Sequence, residues 1–375
     1  MLSGNMTISR LLSGMGKVGA SDLHIKVGMP PTYRINGVLK PLHVDPLSED
    51  EADHFVEPIV PERLREKFET RGDLDFAVYV AGDRFRVNMF RAGGHTHAAI
   101  RRVKSEIPDF DRLRLPTVFR ELADKTMQGL ILVVGVTGSG KSTTLAAMIE
   151  HINATREDNI ITVEDPVEYR FIPRKSIISQ REIGIDVPDY ATALRYVVRQ
   201  DPDTIFIGEM RDRETVLASI QAAETGHLVF STMHTSDAMQ SFSRILEFFP
   251  VSEHSFIRSA LANSLKAICA QRLLPGVENL NDGKGGVVPA TEVLIASPIV
   301  QSRIRDGGAD SDIPAIIHNS KSEGMRSFTH SLAELVNADL VTLRTAMDYA
   351  PNREALDAVI KGVEVKSTML TGRLK

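Results

Sequence analysis

The sequence predicts an α/β chain: a larger domain built on a mostly parallel sheet, preceded by a smaller α+β domain. Three observations predict it. In the C-terminal two thirds, short continuous apolar runs alternate with amphipathic stretches, as strands buried on both faces and joined by helices do. In the N-terminal part, apolar and polar residues alternate instead, and turn pairs such as Asn36-Gly37 join the runs into hairpins. Between the two, residues 107–117 are polar and carry Pro108 and Pro116, the composition of a linker. The expected division is therefore 1–106, a linker at 107–117, and 118–375.

The elements follow in order. Residues 1–18 read as a short helix or a loose start. Residues 20–26 alternate like a strand, and 33–39 form a hairpin about Asn36-Gly37. Ser48, followed by acidic residues, opens a helical stretch within 47–64. Residues 73–80 and 84–90, joined at Gly82-Asp83, make a second hairpin, with a further strand at 97–103. In the second domain, strands are expected at 129–135, 160–164, 204–208 and 228–232. Leu145, Met148, Ile149 and Ile152 place an apolar stripe on the helix after the first of these. A helical tail is expected at 331–340 and 353–362.

Composition narrows the function. The chain has 375 residues, 42% hydrophobic and 25% charged, the balance of a globular protein. A net charge of -5 and the lack of tryptophan argue against a nucleic-acid motor, since phosphate affinity needs clustered Lys and Arg and single strands stack on aromatics. The one cysteine, Cys269, lies in an apolar stretch and reads as a buried structural thiol. One cysteine cannot build a Cys-x-x-Cys zinc site. With no run of membrane-spanning length and no signal-like start, a cytoplasmic chain is expected.

The chemistry centres on Gly135-Val136-Thr137-Gly138-Ser139-Gly140-Lys141-Ser142, followed by Thr143, which fits G-x-x-x-x-G-K-[S/T] in full. It follows an apolar strand and opens an amphipathic helix, the context such a loop requires. The glycines let backbone N–H groups curl around a β-phosphate, and the helix start adds positive potential. Lys141 would reach the β- and γ-oxygens of ATP, and the Ser142 hydroxyl would ligate Mg2+. Acids for metal support and water activation stand at two strand ends. Glu209 follows Thr204–Gly208 and is the better metal-side candidate. Glu164, Asp165 and Glu168 compete for the base role, and periodicity does not separate them. His227 and His234 flank a third polar-tipped strand, suited to sensing a γ-phosphate or making an intersubunit contact.

In this order the loop, the Glu164–Tyr169 acidic box, Gly208-Glu209-Met210-Arg211-Asp212 and the Thr225-Gly226-His227…His234-Thr235 box resemble the secretion-ATPase superfamily. Within it the chain is most similar to the PilT-like type IV pilus retraction ATPases. Ala20-Ser21-Asp22-Leu23-His24, Arg84–Asn88 and Gly324-Met325-Arg326-Ser327-Phe328 extend the likeness over nearly the whole chain. The resemblance implies a PAS-like N-terminal domain, a RecA-like ATPase domain and a homohexamer with ATP bound between the two domains. It also implies an inner-membrane platform protein as partner, attachment to that membrane through it, and a paralogous retraction ATPase as a further partner. It assigns Glu209 to Mg2+, Glu168 to the general base with Glu164 as alternate, and Arg86 and Arg101 to the γ-phosphate. Alternation places Arg86 opposite Phe85, Val87 and Met89, so it points away from the core, where a solvated strand arginine would also stand. The single cysteine sets the chain apart from the zinc-bearing extension ATPases. The family's retraction signature is altered at Ile299–Asp306, which opens the alternatives of an accessory PilU-like motor or another secretion motor. Val136 stands where the family has proline.

Overall fold

The computed structural model describes residues 6–278, 280, 286–307 and 312–363. They pack as two compact units. The described residues of Met1–Glu106 form the first with Pro166–Ile172 and Gly184–Asp186; the second holds those of Ile107–Asp165, Pro173–Ile183 and Val187–Lys375. No helix among the described residues is long and apolar enough to cross a membrane.

The first unit opens with helix α1 (Ile8–Val18), capped by the Thr7 hydroxyl, which accepts from Arg10 N, and closed by Gly19 at φ 66°. Ile8, Leu12 and Met15 recur at helical spacing and are buried. Residues 1–5 of the expected start lie outside the described residues. The sheet runs β1 (Ala20–Ile25), β2 (Thr32–Ile35), β3 (Val38–Pro41), β4 (Asp73–Val80), β5 (Asp83–Ala92) and β6 (His95–Arg102). Its order is β3-β2-β1-β6-β5-β4, and every pair is antiparallel. Asn36 (φ 51°) and Gly37 (φ 80°) make the first hairpin turn. The second turns one residue earlier than expected, at Ala81 (φ 51°) and Gly82 (φ 89°). One face of the sheet, with Leu23, Phe76, Phe85, Val87 and Ile100, packs on α1 and its neighbours. Ser48 opens α2 (Glu49–Phe55) with a full capping box to Glu51. The helical stretch does not continue unbroken. Pro58 and Pro61 lack N–H donors, so a short 3-10 turn intervenes before α3 (Glu62–Arg71).

The second unit is a mixed α/β layer structure. Its strands are β7 (Gly129–Val134), β8 (Asn159–Glu164), β9 (Ile177–Glu182), β10 (Thr204–Ile207), β11 (Leu228–Met233), β12 (Leu265–Pro275) and β13 (Val287–Ile295). They form a seven-stranded sheet in the order β13-β12-β7-β11-β10-β8-β9. All neighbours are parallel except β12 and β13. The central strands β7, β10 and β11 are buried at every residue, which is why they read as unbroken apolar runs. Helices α4 (Thr117–Lys125), α5 (Lys141–Thr155), α6 (Tyr190–Val197), α7 (Arg213–Glu224), α8 (Ala238–Glu247) and α9 (His254–Ser264) connect them. The tail holds α10 (Pro298–Asp306), α11 (Ile313–Asn319), α12 (Phe328–Asn337), α13 (Leu343–Tyr349) and α14 (Arg353–Ile360). Cys269 is fully buried on β12, and burial pushes its thiol up to about 12. It is therefore unreactive at neutral pH.

Candidate nucleotide site

Parallel pairing brings the carboxyl ends of β7, β11, β10 and β8 to one edge, side by side in that order. In open α/β sheets this is the edge where ligands bind. Each strand delivers one of the predicted residues: Lys141 through the loop after β7, His234 after β11, Glu209 after β10 and Glu164 at the end of β8.

The loop leaves β7 at Gly135, whose N–H donates to Met233 O at 3.3 Å. Gly138 (φ 78°) and Gly140 (φ 88°) adopt the left-handed conformation that the curl demands. A Cβ at Gly140 would lie 2.7 Å from Gln271 Nε2, and one at Gly135 would collide with Ser139 Oγ and the Gln271 carbonyl. Helix α5 starts directly after Gly140 with no side-chain cap on its N-terminus. Lys141 is only 8% exposed, and its ammonium donates to Gly135 O at 2.8 Å and Val136 O at 3.2 Å. A closely fitted glycine cradle, a helix start and a buried cation together fit the triphosphate of a nucleotide. Ser142 and Thr143 follow in the first turn of α5.

Gln271 on β12 went unnoticed in the sequence, yet it holds this loop from behind. Its Nε2 donates to Ser139 O at 2.7 Å, and its Oε1 accepts from Thr144 Oγ1 at 2.8 Å. It is 3% exposed. Replacing it with alanine leaves a buried carbonyl and a hydroxyl without their partner and frees the loop. We expect Gln271→Ala to raise the KM for ATP about tenfold, measured by steady-state phosphate release.

The acids sit in two places. Glu164 is 5% exposed and accepts from Thr162 Oγ1 at 2.6 Å and Gln180 Nε2 at 3.1 Å. Gly208 stands beside it, and a Cβ there would fall 3.4 Å from Glu164 Cα. Glu209 follows, accepting from Arg211 Nε at 2.7 Å and lying 3.3 Å from His234 Nε2. Arg211 also reaches Asp165 at 3.5 Å. Its bond to Glu209 raises the arginine's pKa. Tyr190, packed under Gly208, is raised first by burial and then by the nearby Asp165 carboxylate. Arg211 and Tyr190 were not singled out from the sequence; a cation two residues after Glu209 was the available signal.

Glu168 is placed elsewhere. It belongs to the first unit and lines a cleft of about 710 Å3 with Arg86, Arg101, Asp22, Asp75 and Lys104. Arg86 and Arg101 are direct cross-strand partners on the face opposite the core. Arg101 Nε donates to Asp22 at 2.8 Å, and Arg86 lies 3.8 Å from Asp75. Burial alone would raise Asp22, but Ser21 and Arg101 outweigh it and hold the carboxyl low. The two histidines also separate. Both lie just outside β11, at opposite ends, roughly 20 Å apart at the rise of a strand. His227 Nδ1 is 2.9 Å from Ala222 O and 3.2 Å from Thr225 Oγ1, at the end of the strand away from the loop. Its surroundings are those of a residue closing the α7–β11 turn, whereas His234 stands at the loop end of the strand.

The chain belongs to the type II/IV secretion system protein family, whose model matches residues 6–284. It is 37% identical to the type IV pilus retractation ATPase PilT of Pseudomonas aeruginosa over 92% of this chain and 98% of that protein. It is likewise 37% identical to the type IV pilus ATPase PilU of the same organism, over 95% of this chain and 92% of PilU. Among solved structures, the pilus retraction motor PilT with bound ADP matches with a TM-score of 0.82 and 40% identity, covering 94% of this chain and 99% of that one.

Proposed function

We propose that the chain is an ATP-hydrolysing motor that powers retraction of a type IV pilus, and so twitching motility. The observation that supports it most is the glycine cradle with buried Lys141, set beside Glu164, Glu209 and His234 at adjacent strand ends of a family member. In this reading the second unit is a RecA-like ATPase domain, here 118–375, and the first a PAS-like domain, 1–106, joined by 107–117. The antiparallel order β2-β1-β6-β5-β4, with β3 as an added hairpin strand, supports the PAS-like reading.

ATP would bind as its Mg2+ complex, the metal supplying Lewis-acid charge to the phosphates when bound. The N–H groups of residues 135–143 and Lys141 hold the phosphates. Ser142 and Glu209 would hold the metal side, with Arg211 and His234 fixing the Glu209 carboxylate. Glu168 or Glu164 takes the proton of the attacking water. Glu164 stands beside Gly208 at the strand ends, whereas Glu168 lines its own cleft with Arg86 and Arg101, which would carry positive charge for the γ-phosphate. We further propose a cytoplasmic homohexamer, bound to the inner membrane through a pilus platform protein and cooperating with a paralogous ATPase, with no nucleic acid as partner.

Equal identity to PilT and PilU favours keeping an accessory motor as a second reading, as does the altered 299–306 segment. In that segment Val300 and Ile304 are buried, and Arg305 donates to Asn263 at 3.1 Å. The test is genetic. Cells carrying Glu209→Gln should keep their pili but lose twitching, with phosphate release of the purified variant down at least about 100-fold. Loss of pili would instead mark an assembly motor, and unimpaired twitching would leave the accessory role.

A further inference from the structure

Glu292 lies outside every motif read from the sequence. It sits on β13, paired with Ala270 of β12, and its side chain is partly buried within the second unit. Its Oε1 accepts from Ala238 N at 3.0 Å, and its carboxylate also accepts from the N–H of Phe328. These are the first residues of α8 and of α12. One carboxylate thus meets two helix N-termini, where unsatisfied N–H groups and the helix dipoles favour negative charge. Burial nevertheless pushes its carboxyl up to about 7, with Asp237 pushing the same way and the two N–H bonds and Arg272 opposing. Its surroundings solvate it poorly, so the two N–H bonds and the charge of Arg272 are what support the carboxylate.

The short loop 234–237 links Glu292's contact to the nucleotide site. It runs from the end of β11 to the start of α8. At its near end His234 Nε2 stands 3.3 Å from Glu209 Oε1. In its middle, Thr235 Oγ1 bonds Ser241 Oγ on α8 at 2.7 Å. At its far end Asp237 caps α8 by accepting from Gln240 N at 2.8 Å. A loop so short and so pinned moves with the helix start.

We propose that Glu292 is a positioning residue for ATP hydrolysis: by fixing the first residue of α8 it holds His234 in place on the Glu209 carboxylate. Through Phe328 it ties the same point to the C-terminal helices, so that a shift of α12 reaches Glu209. The proposal rests on the reading of Glu209 and His234 as parts of the hydrolytic site.

The test is a double-mutant cycle on the full-length protein, reading kcat and KM for Mg-ATP by phosphate release. Glu292→Gln keeps the shape but presents an amide N–H where an acceptor is needed. We expect kcat to fall about tenfold with KM within twofold of the wild type, and Glu292→Gln combined with His234→Ala to be no slower than His234→Ala alone. Additive losses in the cycle, or an unchanged kcat in Glu292→Gln, would overturn the positioning role. A full kcat in His234→Ala would instead remove the reading on which it rests. Thermal unfolding of each variant separates a collapsed fold from a displaced imidazole, and a kcat loss accompanied by an equal loss of folded protein counts against the proposal.

Discussion

Arg86→Ala is expected to lower ATP turnover about 10³-fold while leaving nucleotide affinity within about twofold. The reason is chemical. In phosphoryl transfer, charge spreads over the γ-phosphate oxygens in the transition state more than in the ground state. A planar guanidinium that meets it there accelerates the step without tightening binding. Arg86 stands on the sheet face opposite the core, where its guanidinium lines the cleft with Glu168. Its ion pair with Asp75, 3.8 Å away at a half-exposed position, is of a kind worth at most about 1 kcal/mol. Arg101, directly across the strand pair, is instead held by Asp22 at 2.8 Å. Two like charges side by side on an open sheet face are unfavourable unless acids or an anion answer them. Arg86→Lys should recover little, because a point charge does not reproduce the fork. The check is single-turnover hydrolysis with a parallel binding isotherm. Unchanged turnover would return Arg86 to the role of a solvated strand residue.

Where the sequence was informative, the physics was local. The runs Leu130–Val134 and Leu228–Phe230 were visible as strands because parallel pairing buries both faces and removes any alternation. The phosphate loop was visible because its glycines, lysine and serine are contiguous. What escaped was whatever depends on pairing between distant segments. The strand β12 mixes Lys266, Gln271 and Arg272 into its apolar run, and β9 is a polar edge strand with Ile177 exposed, so neither shows a clean period. Gln271 touches Ser139 and Thr144 across more than a hundred residues of chain, and nothing near it in sequence announces that contact. The same holds for Glu168. Four residues after Glu164 it looked like a member of one acidic cluster, but Pro166 redirects the chain and the side chain joins the arginine cleft of the first unit. His227 and His234 bound one strand, and an extended strand separates its ends by its full length, so the two stand at different places although they are close in sequence.

Lys141→Ala should abolish retraction and reduce ATP turnover by about 10²–10³-fold or more, through loss of binding as well as of chemistry. Lys141 is the first residue of α5, and its ammonium is buried against the carbonyls of Gly135 and Val136. That placement makes it part of the cradle and not a mobile surface charge. Arginine should not take over, because its planar guanidinium does not reproduce the compact ammonium that donates to both Gly135 O and Val136 O. The fold should survive, since alanine is the best helix former and the loop remains fixed by Gln271 and by the bond from Gly135 N to Met233 O. Fluorescent-nucleotide titration in the presence of Mg2+, alongside a thermal melt, decides the matter. A well-folded Lys141→Ala protein that binds ATP as tightly as the wild type would mean that the loop does not grip the triphosphate. The acids at the neighbouring strand ends would then have no nucleotide on which to act.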